Sequence, residues 1–184
     1  MGERRQRKGL ERENKVQTFL AASLIYLAHQ ANADWENTGI QAFVVTGRGR
    51  GQYQNRVAKF RLRAVATSGV RWTKGKGVIG RCWETRQPVY VDVAAQWGPY
   101  AGYDREAWAA LPAPERFGLT FEDYQTVKGK YGIIAAVPIV GAGDKYIGCV
   151  TADMPPHLIG GTAPVQQEIL KSLALTAENI AQVL

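Results

Sequence analysis

Residues 75–93 read GKGVIGRCWETRQPVYVDV, and this order leaves the backbone few choices. Gly75 and Gly77 suit a tight bend, after which Val78, Ile79, Cys82 and Trp83 recur at the spacing of one helical face. The helix must stop near Thr85. Pro88 has no amide hydrogen to donate, and its ring pushes Gln87 out of the helical region into extended backbone. The next residues form a short strand whose alternation sets Val89, Val91 and Val93 on one face. A bend, a helix and a strand are thus compressed into nineteen residues.

Elements on either side follow from similar patterns. Residues 1–15 are a charged lead-in, either frayed or the tail of a longer helix. A helix follows over 16–31, with Val16, Phe19, Leu20, Ser23, Leu24, Leu27, Ala28 and Ala31 on one face. Residues 40–46 (IQAFVVT) read as a strand, GRGRGQ as a hairpin loop, and 55–66 as a second strand. Ala58, Phe60, Leu62, Ala64 and Ala66 share one face of it and Lys59, Arg61 and Arg63 the other, which suits a solvated sheet edge. Residues 94–130 form an aromatic, proline-broken connection, with short helices expected at 104–110 and 121–128, the latter capped by Thr120. Strands are expected over 132–140 and 146–154 around a GAGD turn. A last helix begins around Pro164, just after Thr162, and runs to Leu184, with Ile169, Leu170, Leu173, Ala177, Ile180, Ala181 and Leu184 lining one side.

The pattern Gly-Lys-Gly-Val-Ile-Gly, then Trp-Glu-Thr, then Pro-Val and a strand ending at Asp92 resembles the central signature of GAF domains, which are small sensory and ligand-binding modules. YGIIAAVPIV, a glycine-rich turn and YIGCVTADM are similar to that family's closing hairpin. The resemblance covers nearly all of the chain after about residue 13. It implies an α+β fold of the GAF-like, PAS-related kind: an antiparallel sheet of five or six strands, terminal helices on one face and a pocket-covering connection on the other. It also implies that residues 16–184 are a single domain, and that helices 16–31 and 165–184 can pair across a homodimer.

Composition narrows the function classes. A chain of 184 residues with 46% hydrophobic and 21% charged residues builds one globular domain. Its longest apolar run, FLAASLIYLA, is about half the length of a membrane helix. Glu3, Glu11 and Glu13 fit poorly with a signal peptide, so the cytoplasm is the expected compartment, with no membrane partner. Cys82 and Cys149 read as reduced core thiols. His29 and His157 stand alone, without metal-ligand spacing, and phosphate-loop and serine-elbow motifs are absent from the sequence. Of the +7 net charge, the basic excess sits between Glu36 and Glu84, which enclose ten Lys or Arg and no acid.

No enzyme is expected. GAF-type proteins that reduce free methionine sulfoxide need thiols in the pocket connection, and neither cysteine lies within 94–130; bilin attachment lacks its cysteine there too. The Asn-Lys-Phe-Asp-Glu set of cyclic-nucleotide-binding members is not placed in this sequence. What remains is a sensory module that binds a small molecule, nucleotide-like or otherwise aromatic, and signals to an effector protein through its terminal helices. The resemblance sets its pocket among Cys82, Trp83, Val91, Asp92, Trp97, Tyr100, Trp108, Ile134 and Ala136. For Trp83, Trp97 and Trp108, core filling is the alternative, and for Asp92 a backbone-capping role at the strand end. The alternative function is a ligand-free dimerisation or protein-interaction module whose basic edge meets an acidic partner or nucleic acid. Nucleic acid is disfavoured, because only Tyr53, Phe60 and Trp72 interleave with the basic residues.

Overall fold

The computed structural model describes residues 2–30, 34, 36–65, 68–155 and 163–184. The expectations for Ala31, Ala66, His157 and Thr162 lie outside them.

Helix α1 spans Gly2–Gln30, so the charged lead-in and the amphipathic segment are one helix. The described side chains before Val16 are exposed; from there Val16, Leu20, Leu24 and Leu27 are buried at helical spacing. Strand β1 (Gly39–Thr46) pairs with β2 (Tyr53–Phe60) and with β5 (Lys145–Met154). Strand β4 (Ile133–Gly141) joins β5 to β3 (Val89–Asp92). The result is one antiparallel five-stranded sheet in the order β2-β1-β5-β4-β3. Helix α7 (Ala163–Ala181) packs beside α1 on one face and buries Ile169, Leu173, Ala177 and Ile180. No helix among the described residues is long and apolar enough to cross a membrane.

Strand β2 is an edge strand, as its charge pattern suggests, but it ends at Phe60 rather than continuing to residue 66. Leu62 and Ala64 therefore lie outside the sheet. The register also departs from simple alternation: Ala42 opposes Ala58, while its neighbour Phe43 opposes Arg56, so Val57 is the extra residue of a bulge. Val57 and Ala58 both pack toward the terminal helices. Gln54 and Arg56 consequently turn to the opposite face, joining Lys59 and Arg61.

That opposite face is covered by residues 68–76, by α2 (Gly77–Thr85) and by the connection. The 68–76 segment touches β2 through one bridge, in which the Gln54 amide donates to the Trp72 carbonyl at 2.7 Å. Gly77 has φ +62, and an added Cβ would meet the Trp72 ring at 2.6 Å, so glycine is required where the segment enters α2. Arg86, in the left-handed region, closes α2 ahead of Pro88.

The connection holds both expected helices and two more. They are α3 (Val93–Trp97), α4 (Arg105–Ala110), α5 (Ala113–Arg116) and α6 (Phe121–Val127). Asp92, Asp104 and Thr120 each cap a helix by accepting a backbone N–H, and Thr120 forms a full capping box with Asp123. Indole rings hold the helices together. Trp108 stacks on Tyr124 with ring centres 4.0 Å apart, and Trp97 meets Phe117 edge-on at 5.7 Å. Both indole N–H groups donate to backbone carbonyls, Trp97 to Glu115 and Trp108 to Leu119.

Candidate functional site

A cavity of about 410 Å³ lies between the sheet and this covering. Its floor comes from β1, β2, β5 and β4, with Gln41, Phe43, Gln54, Arg56, Asp153 and Ile134. Its roof and rim are Val70 and Trp72, then Val78 and Ile79 of α2, then Trp97 and Tyr131. The volume sits at the lower end of the range for small-molecule pockets, and the mixture of apolar walls with a few polar groups is typical of them.

Polar groups on one wall form a chain. The Arg56 guanidinium donates to the Gln41 side-chain carbonyl at 3.0 Å, and the Gln41 amide donates to Asp153 Oδ2 at 2.8 Å. Asp153 Oδ1 accepts from Arg61, whose other terminal nitrogen donates to the Asn37 carbonyl at 2.8 Å. Side-chain exposure of Arg61 is 12% and of Asp153 5%, so this is a buried ion pair rather than part of a solvated edge. The expectation of a solvated face thus fails at Arg61. Its cause is Asp153, an acid in a mostly apolar strand, which burial obliges to find a cation. Burial pulls the Arg61 guanidinium below its ordinary range and pushes the Tyr131 phenol up, against the opposing field of Arg61 and Arg56.

Gln54 anchors the deep end. Its side-chain amide donates to the Ile79 carbonyl at 3.0 Å, and its carbonyl accepts from the Tyr146 hydroxyl at 2.9 Å and the Cys149 thiol at 3.3 Å. Burial raises both Tyr146 and Cys149, which keeps them protonated and able to donate at neutral pH. One glutamine thereby ties β2, α2 and β5 into a single wall.

Of the residues expected at the pocket, Trp97 and Ile134 line the cavity. Val91 and Asp92 border a separate shallow groove along β3, and the Asp92 carboxylate accepts from the Ala95 amide at 2.8 Å. Cys82 and Ala136 are fully buried in the core, and Trp83 stacks on Tyr146 at 6.1 Å. Trp108 is buried against Tyr124, and Tyr100 donates to the Glu115 carboxylate. Sequence reasoning did not single out Gln41, Gln54, Arg56, Arg61, Trp72, Tyr131 or Asp153 for the cavity. The available signal was Asp153 itself, a charge in an apolar strand beside a strand rich in arginine. Neither cysteine lines the cavity. No cluster of three or more metal-ligating side chains occurs among the described residues.

No protein-family model matches the chain. No curated protein matches it either. Solved structures do. The GAF domain region of a Geobacter sulfurreducens PCA protein superposes with a TM-score of 0.54 at 12% identity, over 95% of this chain and 96% of that one. A type II free methionine-R-sulfoxide reductase from Thermoplasma acidophilum superposes with a TM-score of 0.53 at 13% identity, over 94% of each chain. At such identities the likeness establishes the fold.

Proposed function

We propose that this chain, whose fold is GAF-like, is a non-catalytic sensory module that holds a small molecule in the cavity under the aromatic connection and reports its occupancy through α1 and α7. The observation that carries this reading is the cavity: a partly open space of about 410 Å³ with apolar walls and one organised polar side. Strands β1, β4 and β5 are the shared element, since their alternate residues face the cavity and the terminal helices. A ligand regulates a partner through those helices if it binds one arrangement of them more tightly than another.

A native mass spectrum beside the denatured mass tests the proposal. The expected result is a surplus mass that disappears on denaturation, or, for protein purified bare, a saturable thermal shift with a member of a metabolite set. Bare protein with no shift across that set would favour the interaction-module alternative, and the charge envelope of the same spectrum would report whether the chain pairs.

A further inference from the structure

Resting on the ligand-binding reading, we propose that the cavity selects an aromatic anion: one or two flat rings carrying a single carboxylate or phosphate that docks on Arg56. Three observations converge on this chemistry. The first is charge. Among the described residues, the lining includes Arg56, Lys59, Arg61 and Arg71 against one carboxylate, Asp153.

The second is how those charges are already engaged. Both oxygens of Asp153 are taken, one by Arg61 and the other by Gln41. Arg71 lies over the Tyr53 ring at 4.5 Å and donates to the Gly51 carbonyl, so it serves the rim. Arg56 is different. It is half-buried, its hydrogen-bond partner is the neutral Gln41 carbonyl, and no carboxylate among the described residues lies within ion-pair distance of it. A guanidinium has five N–H donors, and one such bond leaves a fork that matches a carboxylate or phosphate. The Val57 bulge is what turns this side chain to the cavity face.

The third is the remaining wall. Phe43, Trp72, Trp97 and Ile134 make it apolar and largely aromatic, and the volume admits one or two rings rather than a dinucleotide. Tyr131, held neutral by burial, stands near both Arg56 and Arg61 with a phenol hydrogen to offer. Anion and ring are thus recognised by different sides of one cavity.

Thermal-shift and calorimetric titration of the full chain with paired probes tests this: indole-3-acetate, 2-naphthoate and phenyl phosphate beside indole-3-acetamide, 2-naphthamide and phenol. At least one anion is expected to bind about tenfold or more tightly than its neutral partner, the range for hydrogen bonds to a charged group. R56Q should abolish that preference, while R63Q, at an exposed position paired with Glu36, should leave it intact. Thermal unfolding of R56Q in the absence of probe establishes that it is folded. Equal binding of acid and amide, or an anion preference that survives in folded R56Q, overturns the inference and leaves the ligand-binding reading standing. Binding by no probe overturns the inference, and the native mass spectrum then decides the broader reading separately.

Discussion

On the face that carries α1 and α7, strand β5 presents Val150, Ala152 and Met154, and β1 presents Ile40 and Ala42. On the other face the same strands present Cys149, Thr151 and Asp153, and Gln41 and Phe43. Alternation alone permits this double service, because successive residues of a strand point to opposite sides. The helical face is closed by two long amphipathic helices and holds Ser23 and Ser172, bonded to each other at 3.0 Å, within a mostly apolar layer. The aromatic face is closed by residues 68–76, α2 and four short helices, held in place by caps, indole hydrogen bonds and ion pairs. One face supplies stability by area; the other gives up some area and gains a cavity.

The largest expected effects separate these two ways of holding together. Leu173, fully buried between α7 and the sheet, should cost about 3 kcal/mol on truncation to Ala, through lost transfer energy and the void left behind. Asp153→Ala should cost about as much for a different reason, since it strands the Arg61 guanidinium in a buried site. Adding Arg61→Met to Asp153→Ala should recover most of that loss, because the unpaired charge goes with it. Urea unfolding of the three variants measures the contrast. An Arg61→Met/Asp153→Ala protein no more stable than Asp153→Ala would mean that shape, not charge, dominates on both faces.

A smaller effect is expected where the covering is pinned. Lys76 Nζ lies 2.7 Å from Asp123 Oδ2, and both side chains are mostly buried, so the pair ties α6 to the bend before α2. Burial works to raise the Asp123 carboxyl, but the hydrogen bonds from Lys76 and Thr120 outweigh it and hold the group below its ordinary range. Lys76→Met should lower stability by about 1 kcal/mol and the midpoint by about 2–4 °C. Amide exchange should quicken over 121–127 while α1 and α7 keep their protection. Uniform quickening across both layers would break the distinction between them.

The helical face was legible in the sequence because its signal is periodic: Leu20, Leu24 and Leu27, or Ile169, Leu173 and Ile180, need no knowledge of the rest of the chain. The same holds for the bend, helix and strand around Pro88, and for Thr120 as a cap. The cavity was not legible in that way. Trp97 and Ile134 were within reach, but Arg56 faces the cavity through a bulge, which reverses the parity of one strand and leaves no mark in composition. Asp153 meets Arg61 across 92 residues of sequence, a pairing that propensity and spacing do not encode. Trp83 and Trp108, each read as either pocket wall or core filler, pack on Tyr146 and Tyr124, because a large ring fills a core as readily as it walls a pocket.

The smallest effect lies in alkaline solution and again divides the faces. Burial raises Tyr124, Tyr131, Tyr146 and Cys149, all on the aromatic side; on the helical side burial raises Tyr90, and the hydrogen bond to Glu168 raises Tyr26. In the unfolded chain a cysteine thiol ionises near pH 8.5 and tyrosine phenols near 10. Above those values the unfolded state has released protons that the folded state still holds, so stability must fall as pH rises. It should stay level, as far as these groups are concerned, up to about pH 8, begin to fall with Cys149, and drop faster beyond about pH 10 with the tyrosines. Tyr146→Phe removes the hydroxyl that donates to Gln54, so its midpoint at pH 7 should lie slightly lower. Between about pH 9 and 10.5, however, its midpoint should fall less than that of the native chain, one titrating group having been deleted. A decline as steep as the native one would mean that the Tyr146 phenol ionises in the folded protein as it does in water, and that the wall around Gln54 opens readily enough for hydroxide to reach it.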